Sequence, residues 1–177
     1  SKGKRQQLVK LLLRHHEYCF DTETTGTDPN NSEIVGMSFS VKKGEAYYIP
    51  FPPIYEDAKE ILEEFRPVFE NEKLLLIGQN IKFDMLVIKW YGLEIRNRLF
   101  DTMLAHYLVE PEGRRSMDLL AAQYLGYLPV SIEELIGKKG KNQGNMRDVA
   151  IETIKEYAAE DADITLQLKE ALAPLVR

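Results

Sequence analysis

The sequence is poor in cysteine, histidine and long apolar runs. Its only cysteine, Cys19, excludes an internal disulfide and suits a reducing cytoplasm, and we expect it to be a buried strand residue, not a nucleophile. No apolar stretch approaches the roughly 20 residues that span a membrane, and no secretory signal opens the chain. We therefore expect a cytoplasmic protein with no membrane partner.

Positively charged residues are outnumbered by negatively charged ones. The 23 lysines and arginines and 28 aspartates and glutamates give a formal net charge of −5 at pH 7, which argues against a protein that holds duplex DNA by charge alone. Nucleic acid is not excluded as a partner, because a cluster of metal-binding carboxylates is itself acidic. His15 and His16 close a basic N-terminal segment, and we expect them to be solvated.

The order of predicted elements indicates an α/β fold. Three strands come first, then strands alternate with helices, and the C-terminal part is helical. This order predicts a ribonuclease-H-like mixed sheet, in which three antiparallel strands precede parallel strands and helices flank both faces. The predicted strands are 17–23, 34–41, 46–50, 74–77 and 98–101. The predicted helices are 57–70, 81–91 and most of the chain after residue 103, with breaks at 112–113 and 137–144. Residues 1–16 are predicted to be a linker or a helix.

Two acidic residues lie at the end of the first predicted strand. Residues two apart share one face of a strand, so Asp21 and Glu23 of the hexapeptide Asp-Thr-Glu-Thr-Thr-Gly point the same way. Side by side they repel and lose hydration, unless a cation lies between them or one takes up a proton. For this pair taken alone, the alternative is that both carboxylates are exposed to solvent at a turn.

Asp84 and Asp161 each occupy a helix position that the apolar pattern assigns to the core. Asp84 shares a face with Ile81 and Ile88, although a first-turn aspartate favoured by the helix dipole is an equal alternative. Asp161 lies in the middle of an apolar stripe, where a lone carboxylate would be costly unless a buried arginine paired with it. Tyr157 lies one turn before Asp161 and can reach the same site.

The four carboxylates together predict a divalent metal site. They come from three separate elements, and oxygen-rich sites without histidine or cysteine select hard ions such as Mg²⁺ or Mn²⁺ over Zn²⁺. Two such ions about 3.5–4 Å apart would bind the attacking and leaving oxygens of a phosphodiester. This pattern favours phosphoryl transfer without a covalent nucleophile.

Three motifs resemble those of a known superfamily. Asp21–Gly26, Asn80-x-x-Phe-Asp84 and Tyr157-x-x-x-Asp161 look like the exonuclease motifs of the DEDD superfamily, in its tyrosine-bearing branch. Residues 17–177 are similar to the 3′–5′ proofreading exonuclease domain of bacterial DNA polymerase I. The resemblance implies a domain excised from a larger cytoplasmic bacterial polymerase, with the polymerase domain covalently linked in the full-length protein.

The resemblance also implies an activity and a role for each residue. The domain would be a 3′–5′ exodeoxyribonuclease that releases nucleoside 5′-monophosphates from a single-stranded DNA 3′ end, with two Mg²⁺ or Mn²⁺ ions, and would be a monomer in isolation. Asp21, Glu23 and Asp161 would hold the ion that activates water. Asp21 would bridge to the second ion near Asp84, and Tyr157 would orient the water. The residues that would bind the terminal nucleotide are Thr22, Asn80 and Phe83.

One position departs from the family. Thr27 stands where the family often has an apolar residue that wedges between the last bases, so we expect weaker binding of the terminal base. The loop Gly137–Lys141 is a candidate phosphate contact, although a solvated loop is the preferred interpretation. It is not a P-loop, because the required glycine is missing five residues before Gly140 and Asn142 follows Lys141.

Two other functions stay open at this point. An exoribonuclease of the same superfamily would differ in how its site treats a 2′-hydroxyl. A catalytically inactive structural domain usually loses the carboxylates, whereas all four are present here. Clustered acids without a metal would destabilise such a domain, which argues against this alternative.

Overall fold

A mixed sheet forms the centre of the computed structural model, which describes residues 1–176. Its strands are β1 (Glu17–Thr24), β2 (Ile34–Lys42), β3 (Glu45–Pro50), β4 (Leu75–Gly78) and β5 (Arg98–Asp101). The spatial order is β3-β2-β1-β4-β5, with β1, β2 and β3 antiparallel and β4 and β5 parallel to β1. The predicted α/β fold class is confirmed.

Helices cover both faces of the sheet. They are α1 (Lys2–Leu13), α2 (Tyr55–Glu64), α3 (Arg66–Phe69), α4 (Ile81–Trp90), α5 (Thr102–Val109), α6 (Met117–Leu125), α7 (Ile132–Ile136) and α8 (Ile151–Leu172), with short 3₁₀ helices at Met146–Asp148 and Ala173–Leu175. None of the helices within residues 1–176 has the length and apolar character needed to traverse a bilayer.

The larger core lies on the face that α1, α2, α3 and α4 cover. Its centre is a group of aromatic rings, in which Phe39 and Phe65 stack with centroids 5.3 Å apart. Leu8 and Leu12 of α1 are buried in the same core, so the N-terminal segment forms a helix that packs on the sheet. Burying such side chains stabilises the fold by about 1.5–3 kcal/mol each.

The opposite face is covered by α8, which contacts β1, β2 and β3. Two contacts hold this helix in place. Lys169 forms an ion pair with Glu17 at 2.8 Å, and the Asp163 carboxylate accepts a hydrogen bond from the Gly44 N–H of the β2–β3 turn at 2.8 Å. These contacts place the middle of α8, which carries Asp161, over the end of β1.

The single helix predicted over 57–70 is wrong. The chain forms α2 and α3 instead, separated at Phe65, whose N–H bonds the Leu62 carbonyl at 2.9 Å in a tighter turn. Pro67 has no N–H with which to continue the α2 hydrogen-bond ladder, so one straight helix is excluded. The helical tail also has a break that was not predicted, at Gly126, which ends α6 with a left-handed φ of 63°.

Candidate active site

Three of the four predicted carboxylates meet between β1 and α8. Oxygens of Asp21, Glu23 and Asp161 all lie within 4.8 Å of one another. Glu23 and Asp161 are only 6% and 8% exposed. No lysine or arginine within residues 1–176 forms an ion pair with any of the three, so the buried arginine considered for Asp161 is not observed.

All three carboxylates have raised pKa values. Burial raises the pKa of Asp21 to about 7. Burial also raises the pKa of Glu23 and of Asp161, and the charge of Asp21 adds to both shifts. Because like charges in a poorly hydrated site resist simultaneous ionisation, a bound cation would stabilise the ionised group.

The donor set fits a divalent ion of the hard type. All three side chains offer carboxylate oxygens, and no histidine or cysteine belongs to the group. Oxygen Oε1 of Glu23 is buried and has no hydrogen-bond partner within residues 1–176, as expected of an atom that a cation would satisfy. Oxygen ligands of this kind favour Mg²⁺ or Mn²⁺ over Zn²⁺.

Asp84 lies beside this group without belonging to it. It is 3% exposed on α4, and its Oδ1 accepts hydrogen bonds from the Thr22 N–H at 3.2 Å and from the Thr22 hydroxyl. Burial and then the charge of Asp21 raise its pKa, while the bonds from Thr22 oppose the shift. The sequence leaves two interpretations of Asp84 open: a core position on the apolar face of the helix, and a first-turn aspartate favoured by the helix dipole. Both hold, because Asp84 is buried and lies in the first turn of α4.

The carboxylates open into a cleft of about 410 Å³. Tyr157 lines it one turn before Asp161, and Thr22 and Thr27 line it from the other side. Burial and the charge of Asp161 raise the pKa of Tyr157 above its usual range. Burial and the charge of Glu23 likewise raise the pKa of Tyr48, at the β3 side of the site. Both phenols therefore keep their protons at neutral pH.

Two of the predicted nucleotide-binding residues do not line the cleft. Asn80 is exposed and precedes α4 with a left-handed φ of 58°. Phe83 is partly buried and packs against the larger core. Of the three residues predicted to bind the terminal nucleotide, the structure brings only Thr22 into the cleft.

The second wall of the cleft was not predicted from the sequence. It comes from Gln79 and from α6, α7 and the segment before α8, through Met117, Asp118, Ile132, Ile136, Gln143, Gly144, Asn145 and Met146. Apart from Gln79 and Gln143, which lie in stretches similar to the family, these residues carry no periodic or motif signal of their own. The loop Gly137–Lys141 is exposed and does not line the cleft itself, although the three residues from 143 to 145 do.

Asp101 supports the site from β5. Its carboxylate accepts hydrogen bonds from the N–H groups of Asn80 at 3.0 Å, Ile81 at 2.8 Å and Met103 at 2.9 Å. One side chain thus caps α4 and α5 together, and the position of Asp84 on α4 depends on it.

The fold is the ribonuclease-H-like fold. Solved structures with this fold include Brucella melitensis NrnC, with a TM-score of 0.71 and 19% identity over 90% of this chain and 72% of that one. Trypanosoma brucei RNase D in complex with RNA U12 has a TM-score of 0.76 and 14% identity over 97% and 60% of the two chains. At these identities the likeness concerns the fold.

The family model described as 3′–5′ exonuclease matches residues 3–177, and the chain belongs to this family. DNA polymerase I of Pseudomonas aeruginosa is 40% identical over 173 residues, which are 93% of this chain and 19% of that protein. DNA polymerase I of Borreliella burgdorferi is 34% identical over 171 residues, which are 95% of this chain and 18% of that protein. The chain spans about a fifth of the length of these curated relatives. The predicted family and enzyme class are confirmed, and the family depends on divalent metal.

Proposed function

We propose that the domain removes nucleoside 5′-monophosphates from single-stranded 3′ ends of DNA by a two-metal-ion mechanism, as the proofreading part of a DNA polymerase I. The observation that carries the proposal is the meeting of Asp21, Glu23 and Asp161 oxygens within 4.8 Å beneath an open cleft. The relatives at 40% and 34% identity support DNA as the substrate, since both are DNA polymerase I.

The four carboxylates would hold two ions. Asp21, Glu23 and Asp161 would bind one ion, and Asp21 and Asp84 would bind the second. When bound, such ions lower the pKa of an attacking water and stabilise the charge on the leaving oxygen. The protein keeps these ligands rigid, because β1 and α8 are anchored to each other and Asp84 is bonded to Thr22.

Tyr157 and Thr22 act on the reacting groups as hydrogen-bonding residues. The protonated hydroxyl of Tyr157, at the edge of the acidic group, orients the attacking water. Thr22 fixes Asp84 and lines the cleft in which the terminal nucleotide would lie.

A direct assay tests this function. Single-stranded DNA and RNA, each labelled at the 5′ end, are incubated with the protein in Mg²⁺ or in EDTA. We expect a ladder that shortens from the 3′ end on DNA in Mg²⁺ only, and none from an Asp161→Asn protein purified in parallel. Shortening of RNA alone would favour the exoribonuclease, and no shortening by folded, metal-binding protein would favour the inactive structural domain.

We also propose that the full-length protein links this domain to a polymerase domain in a bacterial cytoplasm. The isolated domain would then be a monomer that binds single-stranded DNA weakly, because its net charge is −5 and the polymerase domain normally delivers the strand. Sedimentation measures the first property. The salt dependence of binding measures the second: the logarithm of the association constant should fall against the logarithm of the salt concentration with a slope of about −0.7 per neutralised phosphate.

A further inference from the structure

Tyr48 lies beside the acidic group but belongs to none of the three motifs. It stands opposite Ser38 of β2, which in turn stands opposite Asp21 of β1. Paired residues on adjacent antiparallel strands project to the same face, so the three form one row across the sheet. Tyr48 belongs to the same apolar cluster under α8 as Tyr157.

Gly36 makes room for the Tyr48 side chain. Gly36 is the partner of Glu23 across β1 and β2, one row further along the same face. A Cβ at this position would overlap the hydroxyl and the ring of Tyr48. Only glycine allows this approach, and it lets the Tyr48 hydroxyl extend over β2 on the side of the sheet where Glu23 lies.

Two polar atoms on this face of the sheet lack hydrogen-bond partners. Within residues 1–176, Oε1 of Glu23 and Oγ of Ser38 are buried and make no hydrogen bond. A buried carboxylate oxygen that no donor satisfies destabilises the fold. A cation bound to Glu23 leaves lone pairs of the carboxylate free, and the protonated Tyr48 hydroxyl is a donor on that side.

We propose that Tyr48 is a positioning residue: when Glu23 binds metal, the Tyr48 hydroxyl donates a hydrogen bond to the Glu23 carboxylate and holds it in the orientation that binds the ion. The inference rests on the proposed metal site. Donors that orient a metal-binding side chain typically account for 10–100-fold in metal affinity. Ser38 adds a second hydroxyl to the same row, next to Asp21.

The matched pair Tyr48→Phe and Tyr47→Phe tests this role. Tyr47 is the neighbouring residue of β3, but it stands opposite Phe39 on the other face of the sheet and is 39% exposed. Calorimetric titration with Mn²⁺, without DNA, measures metal affinity, and thermal unfolding in EDTA measures the stability of the metal-free fold. We expect Tyr48→Phe to weaken Mn²⁺ binding about tenfold or more with an unchanged unfolding midpoint in EDTA, and Tyr47→Phe to change neither.

The outcomes separate this inference from the proposed function. If the wild-type protein binds no Mn²⁺, the proposed metal mechanism is wrong. If the wild type binds Mn²⁺ and Tyr48→Phe binds it equally well, only the role of Tyr48 is wrong. A lower midpoint in EDTA with unchanged Mn²⁺ affinity would assign Tyr48 to packing and likewise overturn the inference.

Discussion

Thr22 donates two hydrogen bonds to a single oxygen of Asp84, one from its backbone N–H at 3.2 Å and one from its hydroxyl. These bonds tie α4 to the strand that carries Asp21 and Glu23. They also favour the ionised form of Asp84, against a burial that raises its pKa. The fourth carboxylate is therefore positioned by the backbone of β1 and not by its own helix alone.

Replacing Thr22 with valine removes one of these bonds and keeps the shape of the side chain. We expect Thr22→Val to lower the free energy of unfolding by about 1–2 kcal/mol, because a buried acceptor loses a donor. Urea unfolding measures the effect. Thr153→Val, at an exposed position of α8, is the control and should change nothing. Equal stability of the two variants would contradict the role given to the Thr22 hydroxyl.

Asp161→Ala should abolish hydrolysis and leave the fold intact. Loss of a metal ion costs several kcal/mol of transition-state stabilisation, roughly a thousandfold or more in rate. Without metal the variant should be as stable as the wild type or slightly more so, because one member of a repelling buried group is gone. Turnover on labelled DNA and urea unfolding in EDTA measure the two effects.

Glu156→Gln is the control for that variant, since Glu156 is exposed on the same helix. It should keep wild-type turnover. Near-normal turnover by purified Asp161→Ala would overturn the assignment of the site.

The metal-free domain should lose stability as the pH rises from about 4 to about 7. Burial raises the pKa of Asp21 to about 7, whereas an unfolded aspartate titrates near about 3.9. The folded state therefore retains a proton that the unfolded state has released, and stability falls with pH in this window. Glu23, Asp84 and Asp161 act with the same sign, since their pKa values are also raised.

Urea unfolding across this range in EDTA measures the slope. Mg²⁺ should restore stability at the upper end, because it binds the ionised carboxylates. Asp21→Asn should flatten the slope in EDTA. A stability that rises with pH in the absence of metal would contradict the electrostatic description of the site.

Thr27→Leu should strengthen binding of the terminal base. Thr27 is exposed and lines the cleft, so a leucine there can contact a base. Base stacking is worth about 1–3 kcal/mol, and we expect the Michaelis constant for single-stranded DNA to fall by about fivefold or more. Thr27→Ser, which adds no apolar surface, is the control. An unchanged Michaelis constant for Thr27→Leu would show that no base stacks at this position.

Asp101→Ala should destabilise the domain by about 1–3 kcal/mol, because it removes the N-terminal caps of two helices at once. Asp148→Ala, at an exposed carboxylate, is the control. Denaturant unfolding compares them. If the two variants are equally stable, the three N–H groups find other partners and Asp101 does not anchor α4.

Much of the site could be predicted from local pattern. Asp84 and Asp161 stand out because each interrupts an apolar stripe, and Asp21 and Glu23 because they share a strand face. The prediction of one helix over 57–70 was wrong. The apolar spacing continues through Pro67, but the helical hydrogen-bond ladder cannot, because proline has no N–H. The second wall of the cleft could not be predicted from local pattern, since most of its residues are ordinary members of short helices and a loop.

The sequence by itself determined which residues are acidic at core positions, and its three motifs carry the resemblance to the DEDD exonucleases. Only the tertiary structure decided which of those oxygens meet, that Asn80 and Phe83 stay outside the cleft, and that Tyr48 passes over Gly36 towards Glu23. The physical reason is that periodicity assigns a residue to a face of its own helix or strand. The distance between two faces depends on strand register and helix packing, which involve residues far apart in the chain.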